Sequence, residues 1–116
     1  MERHKVLLSV VAPAYNEEAV IEEFHRRLFD VLQKLGCRFE VIYVNDGSTD
    51  QTVECLNRIR QQYDGVKIVD LSRNFGKEIA MTAGFDHSHG DAVVVIDTDL
   101  QDPPELIPDL LMEWEN

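Results

Sequence analysis

Neither glycine-rich phosphate loop is present: GxGxxG and GxxxxGK[ST] are both missing from the 116 residues. Their absence argues against dinucleotide-binding dehydrogenases and P-loop NTPases, whose backbone N–H groups cradle phosphate in such turns. Cysteine is scarce, with only Cys37 and Cys55, and they form no CxxC pair. That pattern reads as two reduced thiols in or near a core, as in a cytoplasmic protein, rather than as a metal or redox centre. Long apolar runs are absent too. None approaches the roughly 18 residues of a membrane-spanning helix, and "MERHKVLLSVV" is too short in its apolar part for a secretion signal. Basic residues are few, 11 Lys and Arg against 22 Asp and Glu, a formal net charge of −11. A chain this acidic is a poor partner for nucleic acid, which requires a basic surface. A phosphorylated ligand would need a metal ion or a local basic cluster to offset the chain's own field.

What is there is a soluble, globular composition, 44% hydrophobic and 28% charged, sized for one core. Strand and helix patterns alternate along it. The continuous apolar run at 6–12 suits a strand buried on both faces. Helical spacing follows over 17–35, through Val20, Ile21, Phe24, Leu28, Val31, Leu32 and Leu35, with Gly36 as the stop. A second strand is expected at 39–44, then a tight turn at 46–50 in which Asp50 or Ser48 caps a helix at 51–63. A third strand at 66–71, a helix at about 77–88 and a fourth strand at 92–96 complete the alternation. Asp102-Pro103-Pro104-Glu105 predicts a last helix with Asp102 as N-cap, Pro103 as first helical residue and Glu105 as capping-box partner. Its apolar positions are Leu106, Leu110, Leu111 and Trp114.

This alternation predicts an α/β, three-layer, doubly wound and mainly parallel sheet with right-handed crossovers. The expected strand order is 3-2-1-4. Ligands of such sheets lie beyond the carboxyl ends of the strands, where the order reverses. That places "PAYNEE" after strand one and "DTDLQD" after strand four in one crevice.

Asp97 and Asp99 lie two apart just past a strand, so both side chains project to one side. They offer hard oxygen ligands for Mg²⁺ or Mn²⁺, and Gln101 can add an amide oxygen. They sit too far ahead of the last helix to cap it, whereas capping accounts for Asp102 and Glu105. Asp46 either accepts an N–H from a nucleobase or organises its own turn, and both readings stand. Asn45 and Asp50 read as structural. Pro13, Tyr15 and Glu17 are placed to frame a base and ribose, Tyr15 offering a flat apolar face. Arg73 and Lys77 flank a glycine near a helix start and are the candidates for a local positive spot. His87 and His89 lack further ligands nearby and read as helix-end polarity.

The blocks "SVVAPAYNEE", "VIYVNDGSTDQT", "VKIVDLSRNFGKE" and "GDAVVVIDTDLQDPPELI" resemble, in order and over nearly the whole chain, a family-2 glycosyltransferase of the GT-A fold. They are most similar to the polyprenyl-phosphate sugar transferases, the subgroup of dolichol-phosphate mannose synthase and the bactoprenol glucosyltransferases of O-antigen glucosylation. The resemblance implies Pro13, Tyr15, Glu17 and Asp46 around the nucleotide of a UDP- or GDP-hexose. It implies Asp97, Thr98 and Asp99 as a DxD meeting ribose, diphosphate and metal, with Gln101 as a further metal ligand and a polyprenyl-phosphate acceptor. Thr98 stands where alanine is commoner, and Asn45 where relatives often carry an acid. The acceptor-binding part of such enzymes lies beyond the DxD. The chain is therefore expected to be a donor-binding half, inactive alone, of a parent associated with the cytoplasmic face of a membrane. An open fourth-strand edge predicts a homodimer. The rivals are a non-catalytic nucleotide or metal-binding module, a transferase acting on a sugar hydroxyl, and a receiver-like domain. The last should carry its acids after strand one rather than strand four.

Overall fold

The computed structural model describes residues 2–99 and 103–116. Four strands, β1 (Leu7–Ala14), β2 (Arg38–Asn45), β3 (Val66–Asp70) and β4 (Ala92–Val95), form one sheet in the order β3-β2-β1-β4. Every neighbouring pair is parallel, with Leu8 opposite Phe39 and Ala92, and Val41 opposite Val66. The helices are α1 (Ile21–Gln33), α2 (Thr52–Gln62), α3 (Lys77–Asp86) and α4 (Ile107–Glu115). The expected architecture and strand order are those observed.

Alternation along the strands sorts side chains between two layers. Leu8, Val10, Ala12, Val41 and Tyr43 face α1, α2 and α4, and are buried with Phe24, Leu28, Leu56, Ile59, Ile107 and Leu111. Val11, Ile42 and Val44 face α3 and meet Ala80, with Val69, Ala83 and Val95 at the margin. The second layer is thin because α3 alone covers it. The central strands are therefore buried on both sides, as their unbroken apolar runs require.

Several boundaries differ from expectation. Residues 17–20 form turns rather than the first helical turn, because their backbone is tied to the neighbouring loop. The N–H of Glu17 donates to Thr52 Oγ1 at 2.8 Å, and that of Glu18 to Asp50 Oδ2 at 3.3 Å. Neither expected residue caps α2, whose N-cap is Gln51; Asp50, one residue earlier, accepts from the Thr52 N–H at 2.9 Å, and Ser48 accepts from the Asn16 N–H at 3.0 Å. Before α4, Pro103 is extended and a 3-10 turn occupies Pro104–Leu106. Pro103 is thus not helical. The carboxylate of Glu105 takes the Arg27 guanidinium of α1, a charged partner within reach; its expected capping bond to Asp102 lies outside the described residues. The Asp102 cap lies outside the described residues. Cys37 and Cys55 are free thiols, the second buried. Among the described residues, no helix is long and apolar enough to cross a membrane.

Candidate functional site

All four strands point their carboxyl ends the same way, so the four following loops meet. Two of them interlock, with Asn16 making several of the bonds. Asn16, with φ of +52°, turns its side chain so that Oδ1 accepts the N–H groups of Thr49 at 2.8 Å and Asp50 at 3.3 Å. The left-handed region is open to Asn at lower cost than to most residues. Tyr15 and Glu17, on either side, are thereby set over the strand ends.

A third loop is tied in from β2. Asn45 donates through Nδ2 to Asp70 Oδ1 at 2.7 Å and accepts the Ser48 N–H at 3.3 Å. Asn45 and Asp50 thus both hold structure. Asp46 accepts the Phe75 N–H at 2.8 Å on one oxygen and the Gly76 N–H at 3.1 Å on the other.

The open crevice between these loops has a volume of about 300 Å³ and is lined by Pro13, Tyr15, Glu17, Asp46, Lys77, Asp97, Thr98 and Asp99, with Ala14, Asn74 and Gly76. The first eight are the described residues expected from sequence to surround a nucleotide-sugar, and they share one cavity. Gln101 lies outside the described residues. Ala14, Asn74 and Gly76 were missed; the signal for the last two was the short polar run "SRNFG" directly after a strand. Arg73 lies elsewhere, its guanidinium 4.7 Å from the Phe75 ring centre and lining an adjacent groove of about 520 Å³. Tyr15 and Asn74 border both cavities.

The floor is acidic. Burial first, then the carboxylates of Asp99, Asp50 and Asp97, push the Glu17 carboxyl above its ordinary range. Lys77 answers part of this charge, with Nζ 2.6 Å from Asp97 Oδ2. Thr98 is buried, its hydroxyl 3.4 Å from the Pro13 carbonyl, so it closes the floor between β1 and β4. Among the described residues, no group of three His, Cys, Asp or Glu is arranged to hold a metal. The two DxD carboxylates nevertheless suit a hard divalent ion, which is commonly held by one or two carboxylates and completed by phosphate oxygens and water.

A parallel 3-2-1-4 sheet with an acidic crevice at the strand exits defines an α/β domain of the GT-A fold. The sequence model of glycosyl transferase family 2 matches residues 9–116, and the chain belongs to that family. It is 49% identical over 115 residues, 99% of its length, to the uncharacterised glycosyltransferase YkcC of Bacillus subtilis, covering 35% of that protein. It is 41% identical over 108 residues, 93% of its length, to the bactoprenol glucosyl transferase of Shigella phage SfV, covering 35% of it. The chain thus spans about a third of the length of these curated relatives. Among solved structures it resembles the mannosyltransferase PcManGT of Pyrobaculum calidifontis in complex with GDP-Man and Mn²⁺. That likeness has a TM-score of 0.79 and 25% identity, over 90% of this chain and 31% of that one.

Proposed function

We propose that this chain is the donor-binding part of a metal-dependent, inverting transferase. It would carry a hexose from a UDP- or GDP-sugar to a polyprenyl phosphate. The observation that carries this reading is the meeting of Tyr15, Glu17, Asp46, Lys77, Asp97 and Asp99 in one crevice where β1 and β4 diverge. The similarity to a bactoprenol glucosyl transferase supports the acceptor class.

In this reading Tyr15 and Pro13 frame the base and ribose, and Asp97 and Asp99 hold Mg²⁺ or Mn²⁺, with Gln101 as a further ligand. The ion supplies positive charge to the departing nucleoside diphosphate. Lys77 lends a second positive charge to the same end of the crevice. Glu17 stands beside both carboxylates and adds negative charge that draws the cation in. A phosphate acceptor has a second pKa of about 6 and is ionised at neutral pH, so the chain need not supply a strong general base. A saccharide hydroxyl acceptor would require one.

Calorimetric titration with UDP and with GDP, each with and without Mn²⁺, tests the donor site. Metal-dependent binding of one nucleotide, lost in Asp99→Ala, is the expected result. Metal-independent binding, or binding that Asp99→Ala leaves intact, overturns the assignment. A homodimer through the open edge of β4 is checked by light scattering, where a monomer at high concentration refutes it.

A further inference from the structure

Tyr15 brings an aromatic ring to the crevice. It is 44% exposed and borders both cavities, and among the described residues its side chain makes no hydrogen bond or ring contact. Where the ring points is therefore set by the backbone on either side. On one side Ala14 is fixed in the sheet, opposite Asn45 and accepting the Asp46 N–H at 2.9 Å. On the other side stands Asn16, with φ of +52°. A residue other than glycine persists in that region only where its surroundings over-determine it, and such residues gather at functional sites.

The surroundings here are the β2–α2 loop. Asn16 Oδ1 accepts the Thr49 N–H at 2.8 Å and the Asp50 N–H at 3.3 Å, while the Asn16 N–H donates to Ser48 Oγ at 3.0 Å. One residue thus binds three consecutive residues of the facing loop. Asn16 is not among the described residues that line either cavity, so its side chain is committed to the loop and not to a ligand.

We infer that Asn16 is a positioning residue that acts through Tyr15. By locking the turn after β1 onto residues 48–50, it aims the Tyr15 ring at the base of a bound nucleoside. This rests on the donor-site reading above and deepens it by naming what sets the base platform. A residue that merely stabilised the loops would weaken every ligand alike or none. One that aims Tyr15 acts on the nucleoside and spares the diphosphate.

Fluorine NMR of the protein carrying 3-fluorotyrosine at Tyr15, Tyr43 and Tyr63 reads the ring directly. Asn16→Gly keeps access to the positive φ and removes the acceptor. The Tyr15 resonance should shift toward that of a solvated tyrosine, with Tyr43 and Tyr63 unmoved. Ser48→Ala removes only the partner of the Asn16 N–H. It should move the Tyr15 resonance the same way by less, and it serves if the glycine variant does not fold. Binding of uridine or guanosine, whichever the unaltered protein takes, should weaken about fivefold in Asn16→Gly, the lower end of what base–aromatic stacking contributes. Binding of inorganic pyrophosphate with Mg²⁺ should stay within about twofold, because it has no base to meet Tyr15. In a Tyr15→Ala background Asn16→Gly should add nothing to the nucleoside loss, since residues acting through one contact are non-additive. An unmoved Tyr15 resonance, unchanged nucleoside binding, equal losses for nucleoside and pyrophosphate, or additive losses in the double variant would each overturn the inference. If the unaltered protein binds no nucleoside, the donor-site reading fails. The Tyr15 resonance then still judges whether Asn16 sets that ring, and an unmoved signal rejects it.

Discussion

The ammonium of Lys77 lies 2.6 Å from a carboxylate oxygen of Asp97, joining the first residue of α3 to the exit of β4 across the crevice. This contact carries one of the chain's few cations into the acidic crevice that Glu17, Asp97 and Asp99 line. Replacing Lys77 with Met should weaken UDP or GDP binding about tenfold, the order of a single charge-assisted contact. Nucleoside binding should hardly change. Titration calorimetry with raised salt gives a second check, because the gap between wild type and variant should narrow as salt screens a partly exposed charge.

Glu17 reports on the charge around it. Its carboxyl is raised by burial and then by Asp99, Asp50 and Asp97, so removing one acid should lower its pKa. Asp99→Ala should bring the Glu17 carbon resonance to titrate closer to an ordinary glutamate. Mg²⁺ added to the unaltered protein should move it in the same direction, because a cation favours the charged form. A Glu17 titration indifferent to both changes would refute a shared acidic site.

How far the sequence reached can be judged residue by residue. The parallel sheet was legible because its central strands β1 and β2 are buried on both faces, and continuous apolar runs announce that without tertiary knowledge. The crevice was legible because parallel strands send their exits one way, so polar residues after β1 and β4 had to meet. What stayed hidden depends on side chains crossing between loops. Asn16 needs a positive φ to weld two turns together, and Asn also occurs in many turns that weld nothing. Asp46 left turn and ligand equally open, since only the fold brings the Phe75 and Gly76 N–H groups to it. Glu105 fits a capping pattern locally, and only the fold brings the Arg27 guanidinium of α1 to its carboxylate.

Away from the crevice, Glu40 holds the other end of the sheet together. It is 6% exposed and accepts from Ser9 Oγ at 2.5 Å, Lys67 Nζ at 2.7 Å and the His89 N–H at 2.7 Å. Burial works against its charge, but those bonds prevail and hold its carboxyl below the usual range. Glu40→Ala leaves Ser9 and the His89 N–H short of a partner and should cost about 3 kcal/mol, as for a broken buried network. Urea denaturation at pH 7 measures it. A folded-state pKa below the unfolded one gives stability that is present above the unfolded value and lost as pH falls through the folded value. The gap between wild type and variant should therefore shrink once pH drops below 4.5.

His25 sets a second acid limit with a different origin. It is fully buried among Tyr43, Tyr63 and Phe29, with Nδ1 2.6 Å from the Tyr43 hydroxyl and Nε2 without a hydrogen-bond partner among the described residues. Burial lowers its pKa from 6.5 to about 4, so the folded chain keeps it neutral where the unfolded chain already binds a proton. Proton uptake by the unfolded state then draws the equilibrium away from the fold as pH falls from 6.5 toward 4. The shift amounts to about 3 kcal/mol at 1.36 kcal/mol per pKa unit. His25→Gln can still hydrogen-bond the Tyr43 hydroxyl, as acceptor or donor, but does not titrate. It should cost stability at pH 7, where the ring packing is lost, yet lose less between pH 6.5 and 4 than the parent does. Parallel pH profiles from chemical denaturation of the two proteins would show that His25 is not the group responsible.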